Sequence, residues 1–289
     1  MNLTIRYPAV ADSHYPADSE ALELLMQNLL DSSGYAGQDN RKIRAILSPH
    51  APLDISGKIA AEAYKVLKGK KLHSIFLLGN THAFFFDGVA ADSRHEWLTP
   101  LGSVPVNRSL TKELCSVETK NIRILDLAHD MDHVLELQLP FLQRSLEKGF
   151  SIVPILLGTN TDNVELADLL RTLFQPDDLI VVSTDLSHYP TYRQAIVIDN
   201  ETMESIVNLD MDRLEAHQKK LEQTRKNSSI NLSCSPDAII TLLLIARKLG
   251  WKAERLSYTN TGFMPDDDKT EVVGYGSIIF YEETAQSKE

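Results

Sequence analysis

Ile43-Arg44-Ala45-Ile46-Leu47-Ser48-Pro49-His50 is the most informative segment for the fold, because a largely apolar run ends there in a histidine. Two other runs share this form: Ser74–Gly79 leads into Asn80-Thr81-His82, and Leu179–Ser183 leads into Thr184-Asp185, with His188 close behind. Short apolar runs of this kind are typical of strands buried on both faces of a sheet. Because ligands in open α/β sheets bind just beyond the carboxyl ends of the strands, the runs predict a site on one rim.

The alternation of strand and helix patterns predicts one α/β domain over residues 1–289. A helix is expected at Gly57–Leu67, between the first two strands, which makes these strands parallel with a right-handed crossover. Another helix is expected at Pro236–Leu249, since proline favours the first helical position. Ile152–Leu157 is a predicted strand, and its Pro154 indicates a sheet edge or a bulge. We therefore expect a mixed, largely parallel central sheet flanked by helices.

The composition excludes several classes of function. The formal net charge of -11 argues against a nucleic-acid partner, which requires a basic face. The two cysteines, Cys115 and Cys234, form no CxxC pair and fit a reducing compartment. The N-terminus lacks a signal-peptide pattern, and no apolar run approaches the ~20 residues of a membrane span. We expect a cytoplasmic protein with no membrane partner, and with no nucleotide cofactor because no GxxxxGK[ST] motif occurs.

His50 and His82 are the first candidates for a functional role. Each follows a buried strand after one or two residues, and neutral imidazole is a common metal ligand. The alternative is that each ring only hydrogen-bonds loop carbonyls. The matched placement of the two favours metal binding.

Asp185 and His188 lie together after the third run. A carboxylate that orients an imidazole fixes its tautomer and raises its basicity, which suits a general base. The alternative is a turn that closes the strand, with His188 incidental to it. The residues alone leave both interpretations open.

The segment His129-Asp130-Met131-Asp132-His133 is predicted to open a leucine-rich helix, which Pro140 should kink or end early. Aspartates at a helix start are first of all caps and dipole partners. A functional His133 would face the strand rim, and His129 is the weaker candidate.

Cys234 lies just before the predicted helix Pro236–Leu249. A thiolate in this position would have a lowered pKa and could bind metal or attack a substrate. The alternative is a small buried apolar side chain, which is also the interpretation we favour for Cys115.

Together these segments resemble the Memo family, also called AmmeMemoRadiSam system protein B. The resemblance covers nearly the whole chain in order. The matching segments are Tyr7-Pro8-Ala9-Val10-Ala11, Tyr15-Pro16-Ala17-Asp18, Pro49-His50-Ala51, Ser56-Gly57, Gly79-Asn80-Thr81-His82, Thr99-Pro100-Leu101-Gly102, His133 with Leu135–Leu142, Asp185-Leu186-Ser187-His188-Tyr189, Cys234, Asn260-Thr261-Gly262 and Val273-Gly274-Tyr275. One departure is Pro52-Leu53, where the family usually has Gly-Tyr, which would remove an aromatic wall of the pocket.

The Memo family resembles the class III extradiol ring-cleaving dioxygenases, which are non-haem iron enzymes with a LigB-like fold. The resemblance implies a single domain with a cleft on the strand rim, and a metal held by His50, His82 and Cys234. It also implies that three catalytic candidates line the pocket: His188, Asp185 and His133. Family members have been linked to iron or copper binding.

The chemical nature of the proposed ligands limits which metal the site would bind. Two imidazoles and a carboxylate suit iron-dependent dioxygen chemistry, whereas the thiolate of Cys234 is softer and also suits copper(I) or zinc. Extradiol cleavage further needs a base for a substrate hydroxyl, for which His188 and His133 are candidates.

Three functions remain open at this point. The first is a metal-dependent oxidoreductase of the dioxygenase type, acting on an unknown small molecule. The second is a non-enzymatic protein that binds a peptide or small ligand in a vestigial cleft, which the altered Pro52-Leu53 favours. The third is a metal-free hydrolase with Cys234 as nucleophile and His188–Asp185 as base and orienting group.

Overall fold

The computed structural model describes residues 3–35, 41–116, 121–224, 230–263 and 267–283. The strands are β1 (Ile5–Arg6), β2 (Lys42–Ser48), β3 (Ser74–Asn80), β4 (Val89–Ala91), β5 (Glu96–Thr99), β6 (Gly102–Pro105), β7 (Ile122–Ile124), β8 (Ser151–Leu157), β9 (Leu179–Ser183), β10 (Lys252–Asn260) and β11 (Gly274–Glu282). The α-helices are α1 (Ser19–Asp31), α2 (Leu53–Lys65), α3 (Arg108–Leu114), α4 (Leu127–Asp130), α5 (Leu139–Ser145), α6 (Asn163–Leu173), α7 (Tyr192–Val207), α8 (Met211–Thr224) and α9 (Pro236–Leu249).

The large sheet has the strand order β10-β11-β2-β9-β3-β8-β4-β7. Its four central strands, β2, β9, β3 and β8, are parallel to one another, whereas β11 and β4 run antiparallel to their central neighbours. The predicted mixed, largely parallel sheet flanked by helices is thereby confirmed. A second, small sheet has the order β1-β5-β6.

Strand β9 lies between β2 and β3, an arrangement that the local pattern does not indicate. Val181 pairs with Ile46 on one side and with Leu77 on the other. The first two strands are parallel, as predicted, but they are not neighbours. Because β9 lies between β2 and β3, the carboxyl ends of the three predicted strands are side by side. The side chains that follow them can therefore meet in one site.

Strand β8 was expected at an edge or a bulge because of Pro154, and that expectation is wrong. β8 is internal, with Pro154 level with Leu77 of β3. On its other side the pairing with β4 stops at Ile155, and Ile152 pairs with Val106. Pro154 lies between these two contacts, where no partner requires its missing N–H.

The helix predicted to follow the His129–His133 segment is broken up. Helix α4 ends at Asp130, a 3₁₀ helix spans Glu136–Gln138, and α5 starts at Leu139. Pro140 lies in the first turn of α5, where a missing N–H costs nothing. Helix α2 also begins earlier than predicted, at Leu53 after Pro52.

Side chains of the central strands alternate between two apolar layers. Ile46 and Leu77 pack with α1, α2 and α5, whereas Phe76 and Leu78 pack with α6, α7 and α9. Both faces of the central strands are therefore covered, and polar groups come together only at the strand ends. Among the described residues, no helix combines the length and apolarity that a membrane span requires.

Candidate metal centre

His50, His82 and Cys234 come together at the carboxyl ends of the central strands. One ligand atom from each residue lies within 4.8 Å of the other two. The Sγ of Cys234 is 3.3 Å from Nε2 of His50. Ligands at about 2.1 Å (nitrogen) and about 2.3 Å (sulfur) from one tetrahedral metal would be about 3.6 Å apart, so this separation is close to a ligand shell.

Hydrogen bonding fixes the tautomer of His50. Ser183 Oγ donates its single proton to the Val134 carbonyl, at 2.6 Å. It accepts from Gln138 Nε2 at 2.8 Å, so His50 Nδ1, at 3.1 Å, must be its second donor. The proton of the neutral imidazole is therefore on Nδ1, and the lone pair of Nε2 points to the Cys234 sulfur.

Gln138 is itself held in a single orientation. Its Nε2 also donates to the Pro49 carbonyl, and its Oε1 accepts from the Tyr64 hydroxyl. Both Gln138 and Tyr64 are buried. Sequence reasoning missed this support for His50, because nothing in the spacing of these residues indicates that they meet.

His82 is positioned by the buried carboxylate of Asp132. Asp132 Oδ2 accepts from the backbone N–H groups of His82 and Ala83 and from the Thr81 hydroxyl. The ring Nδ1 lies 2.9 Å from the Asn80 carbonyl, which can only accept, so Nδ1 carries the proton. Nε2 of His82 is left as the donor atom for a metal.

Gly79 allows this close packing at the end of β3. A Cβ at this position would collide with the Val134 side chain and crowd the Ser183 carbonyl. The absence of a side chain lets the segment that follows His133 lie directly against the strand end. Gly79 therefore has a steric role in bringing His133 to the rim.

Cys234 receives support from the turn after β9. The Asp185 backbone N–H donates to its sulfur at 3.0 Å, and the Thr184 hydroxyl lies 3.6 Å away. Burial, and then the Asp185 carboxylate, raise the pKa of the Cys234 thiol. The predicted lowering of this pKa is wrong, because desolvation outweighs the nearby start of α9. A free thiolate nucleophile is disfavoured, and a metal would have to displace the thiol proton.

Asp185 supports His50 and does not orient His188. Its Oδ1 accepts from the His50 N–H at 2.9 Å, and burial raises the pKa of its carboxyl to about 7. His188 Nδ1 instead lies 3.0 Å from the Leu186 carbonyl. The predicted carboxylate–imidazole pair is not formed among the described residues, although both side chains lie at the rim.

His133 completes a group of imidazoles around the candidate ligands. Its ring centroid is 5.5 Å from that of His50 and 5.6 Å from that of His82. Burial, and then the neighbouring imidazoles, lower the pKa of His133 to about 4 despite Asp132. The ring is therefore neutral at physiological pH.

His14 also reaches this group, with its ring 5.0 Å from that of His133. Its sequence context gives no functional signal beyond its place next to Tyr15-Pro16.

His129, the weaker candidate, is fully buried and packs edge-on against Trp97, so it belongs to the core. Cys115 is a partly buried thiol packed against the core, as expected.

The donor set fits a transition metal. Two imidazoles use Nδ1 in hydrogen bonds, which leaves Nε2 for a metal, and a sulfur that accepts from an amide N–H lies within 4.8 Å of one ligand atom of each. Burial and the surrounding imidazoles keep the pKa of His50 well below its usual range, so this ring is neutral, as a ligand must be.

Comparison with known proteins identifies a family model and relatives that are similar to nearly the whole chain. The family model described as Memo-like protein matches residues 6–279. A MEMO1 family protein of Methanosarcina mazei is 34% identical over 288 residues, which cover 96% of this chain and 99% of the relative. A MEMO1 family protein of Thermococcus kodakarensis is 32% identical and covers the same shares of both chains.

The fold has a counterpart among solved structures. The crystal structure of an uncharacterized protein from Escherichia coli K12 superimposes with a TM-score of 0.51 at 11% identity. The match covers 82% of this chain and 99% of the other, and at this identity it shows the fold alone. The family model and the relatives are decisive: the chain belongs to the Memo-like protein family.

Proposed function

We propose that this protein binds one transition-metal ion through Nε2 of His50, Nε2 of His82 and Sγ of Cys234. The observation that carries the proposal is that one ligand atom from each of these three residues lies within 4.8 Å of the other two. The hydrogen bonds that engage both Nδ1 atoms, and so leave the Nε2 atoms for a metal, support it further. A core histidine that only satisfies loop carbonyls has no need of two such neighbours.

We infer iron or copper as the metal, with zinc as the other ion that this donor set suits. Imidazole binds all three metals, and a thiolate selects for copper(I) and zinc over hard cations. A thiol ligand must also stay reduced, and both cysteines are free. This is consistent with a cytoplasmic location, which we propose for the protein.

We further propose a metal-dependent oxidoreductase of the dioxygenase type, acting on a small molecule. The metal would supply redox chemistry toward dioxygen. The Nε2 atom of His188 is suited to take a proton from a substrate hydroxyl, because its Nδ1 is engaged by the Leu186 carbonyl. Burial lowers the pKa of His188, so the ring is in the neutral form that a base requires.

Anaerobic metal titration of the full chain tests the binding proposal. We expect one Cu(I) or Fe(II) per chain, and a loss of affinity of at least about 100-fold in Cys234→Ser, because a hydroxyl is a poor ligand for a soft metal. Cys115→Ser is the matched control and should bind like the wild type. Equal affinity in Cys234→Ser and Cys115→Ser would overturn the assignment of the thiol as a ligand.

Dioxygen consumption by the metal-loaded protein with a panel of catechols tests the activity. Turnover that falls in His188→Gln with unchanged metal content would support His188 as the base. A protein that binds metal and catechols but consumes no dioxygen would favour the vestigial binding cleft.

A further inference from the structure

A cavity of about 660 Å³ is lined in part by Cys234. Its walls come from α8, from α9, and from the segment 231–236 that leads into α9. Asn80 and Thr81, at the end of β3 beside His82, close its inner end. Cys234 therefore belongs both to the wall of the cavity and to the candidate metal centre.

The lining of this cavity is mainly apolar. Six apolar residues contribute to it: Met211, Leu214, Leu232, Pro236, Ile239 and Ile240. Its charged lining residues among those described are two acids, Asp212 and Glu215, with no lysine, arginine or histidine. An anionic ligand would meet these carboxylates without a compensating cation, so the lining disfavours it.

Ser233 provides a polar contact inside this apolar cavity. The residue is only 5% exposed, and it lies next to Cys234 on the cavity wall. Within the described part of the chain its hydroxyl makes no hydrogen bond, and its oxygen is not among the unpaired atoms that are fully buried. A hydroxyl without a protein partner on the wall of a cavity is suited to a ligand that supplies one.

We propose that the cavity binds a neutral, predominantly apolar small molecule, with one hydrogen-bonding group at Ser233 and its reactive end at the Cys234 side of the metal centre. The volume falls in the range of about 300–1,000 Å³ that small-molecule sites occupy. Binding of such a molecule is independent of the metal. Its role as the substrate of the metal centre rests on the proposed function.

Fluorescence titration of the metal-free full chain with N-phenyl-1-naphthylamine tests the binding. This probe is neutral, apolar and carries one N–H group. We expect saturable binding of one probe per chain. 1-Anilinonaphthalene-8-sulfonate has the same aromatic framework with an added sulfonate, and should bind at least about tenfold more weakly because of Asp212 and Glu215.

Variants test whether the probe binds in this cavity. Ile240→Trp fills the cavity and should weaken probe binding at least about tenfold, whereas Leu24→Trp, on an exposed position of α1, should not change it. Ser233→Ala should weaken binding by about 3–10-fold through loss of one hydrogen bond. If circular dichroism shows that Ile240→Trp is unfolded, Leu214→Trp on the half-buried face of α8 takes its place.

Alkylation of the Cys234 thiol tests whether the bound molecule reaches the metal centre. In a Cys115→Ser background, bound probe should slow alkylation of Cys234 by N-ethylmaleimide. No saturable binding, or equal binding to Ile240→Trp and Leu24→Trp, would overturn the cavity proposal. An unchanged alkylation rate would overturn the assignment of the ligand to the metal centre. Failure of metal binding with probe binding intact would instead contradict the proposed function alone.

Discussion

The two ends of the central parallel strands differ in what their polar groups do. At the amino end, Asp178 accepts hydrogen bonds from the backbone N–H groups of Ser74 and Gln175, and Asn107 donates to the Ser74 hydroxyl. The Arg44 guanidinium bonds the Gln175 carbonyl nearby. The described groups there bond one another, except that the Nε of Arg44 has no hydrogen-bond partner and lies 3.1 Å from the Glu282 carboxylate.

At the carboxyl end, the hydrogen bonds support side chains without using all of their ligand atoms. His50 and His82 each have Nδ1 engaged, and one ligand atom from each lies within 4.8 Å of the Cys234 sulfur. A strand end therefore becomes a candidate site when its side chains are oriented but some of their ligand atoms have no protein partner. A polar strand end alone is not sufficient.

The largest expected effect on metal affinity comes from removing an imidazole at the carboxyl end of the strands. Removing one at the amino end is the matched control. His50→Ala should lower Cu(I) affinity by at least about 100-fold, because it deletes one of three ligands. His73→Ala, at the exposed amino end of β3, should leave affinity unchanged. Competition with a chromophoric Cu(I) chelator measures both variants, and similar affinities would remove the distinction between the two ends.

A smaller effect on metal affinity is expected from Ser183, which ends β9, and its matched control is Ser74, which begins the neighbouring strand β3. Ser183→Ala removes the hydroxyl that fixes the His50 tautomer and should weaken metal binding by about 10–100-fold. Ser74→Ala removes a buried hydroxyl of the same kind at the amino end and should leave metal binding intact. Nitrogen chemical shifts of the His50 ring report the tautomer, and unchanged shifts in Ser183→Ala would contradict the role given to Ser183.

The smallest expected effect on the metal is at Asp178. Asp178→Ala leaves the N–H groups of Ser74 and Gln175 without their acceptor, which should lower the free energy of unfolding by about 1–3 kcal/mol. Metal affinity should not change. Urea unfolding and Cu(I) competition on the same preparation separate the two effects, and a parallel loss of affinity would show that the ends are coupled.

Much of the fold and of the candidate site could be predicted from sequence because the signals are local. Apolar runs that end in His50 and His82 mark the strand ends, and Pro236 marks the start of α9 at the residue where the structure has it. The resemblance to the Memo family supplied the connection of Cys234 to these two histidines.

The remainder depends on contacts between distant segments. No local pattern puts β9 between β2 and β3, and a parallel pairing partner can come from anywhere in the chain. The same holds for Gln138 and Asp132, which orient the two histidines from outside the strands. The prediction of a lowered pKa for Cys234 was wrong, because the sequence does not show that this thiol is buried.

X-ray absorption spectroscopy of the copper- or iron-loaded protein identifies the ligands of the bound metal. We predict two nitrogen ligands at about 2.1 Å and one sulfur ligand at about 2.3 Å, with the sulfur contribution lost in Cys234→Ser and kept in Cys115→Ser. A first coordination sphere without sulfur in the wild type, or one unchanged by His50→Ala, would contradict it.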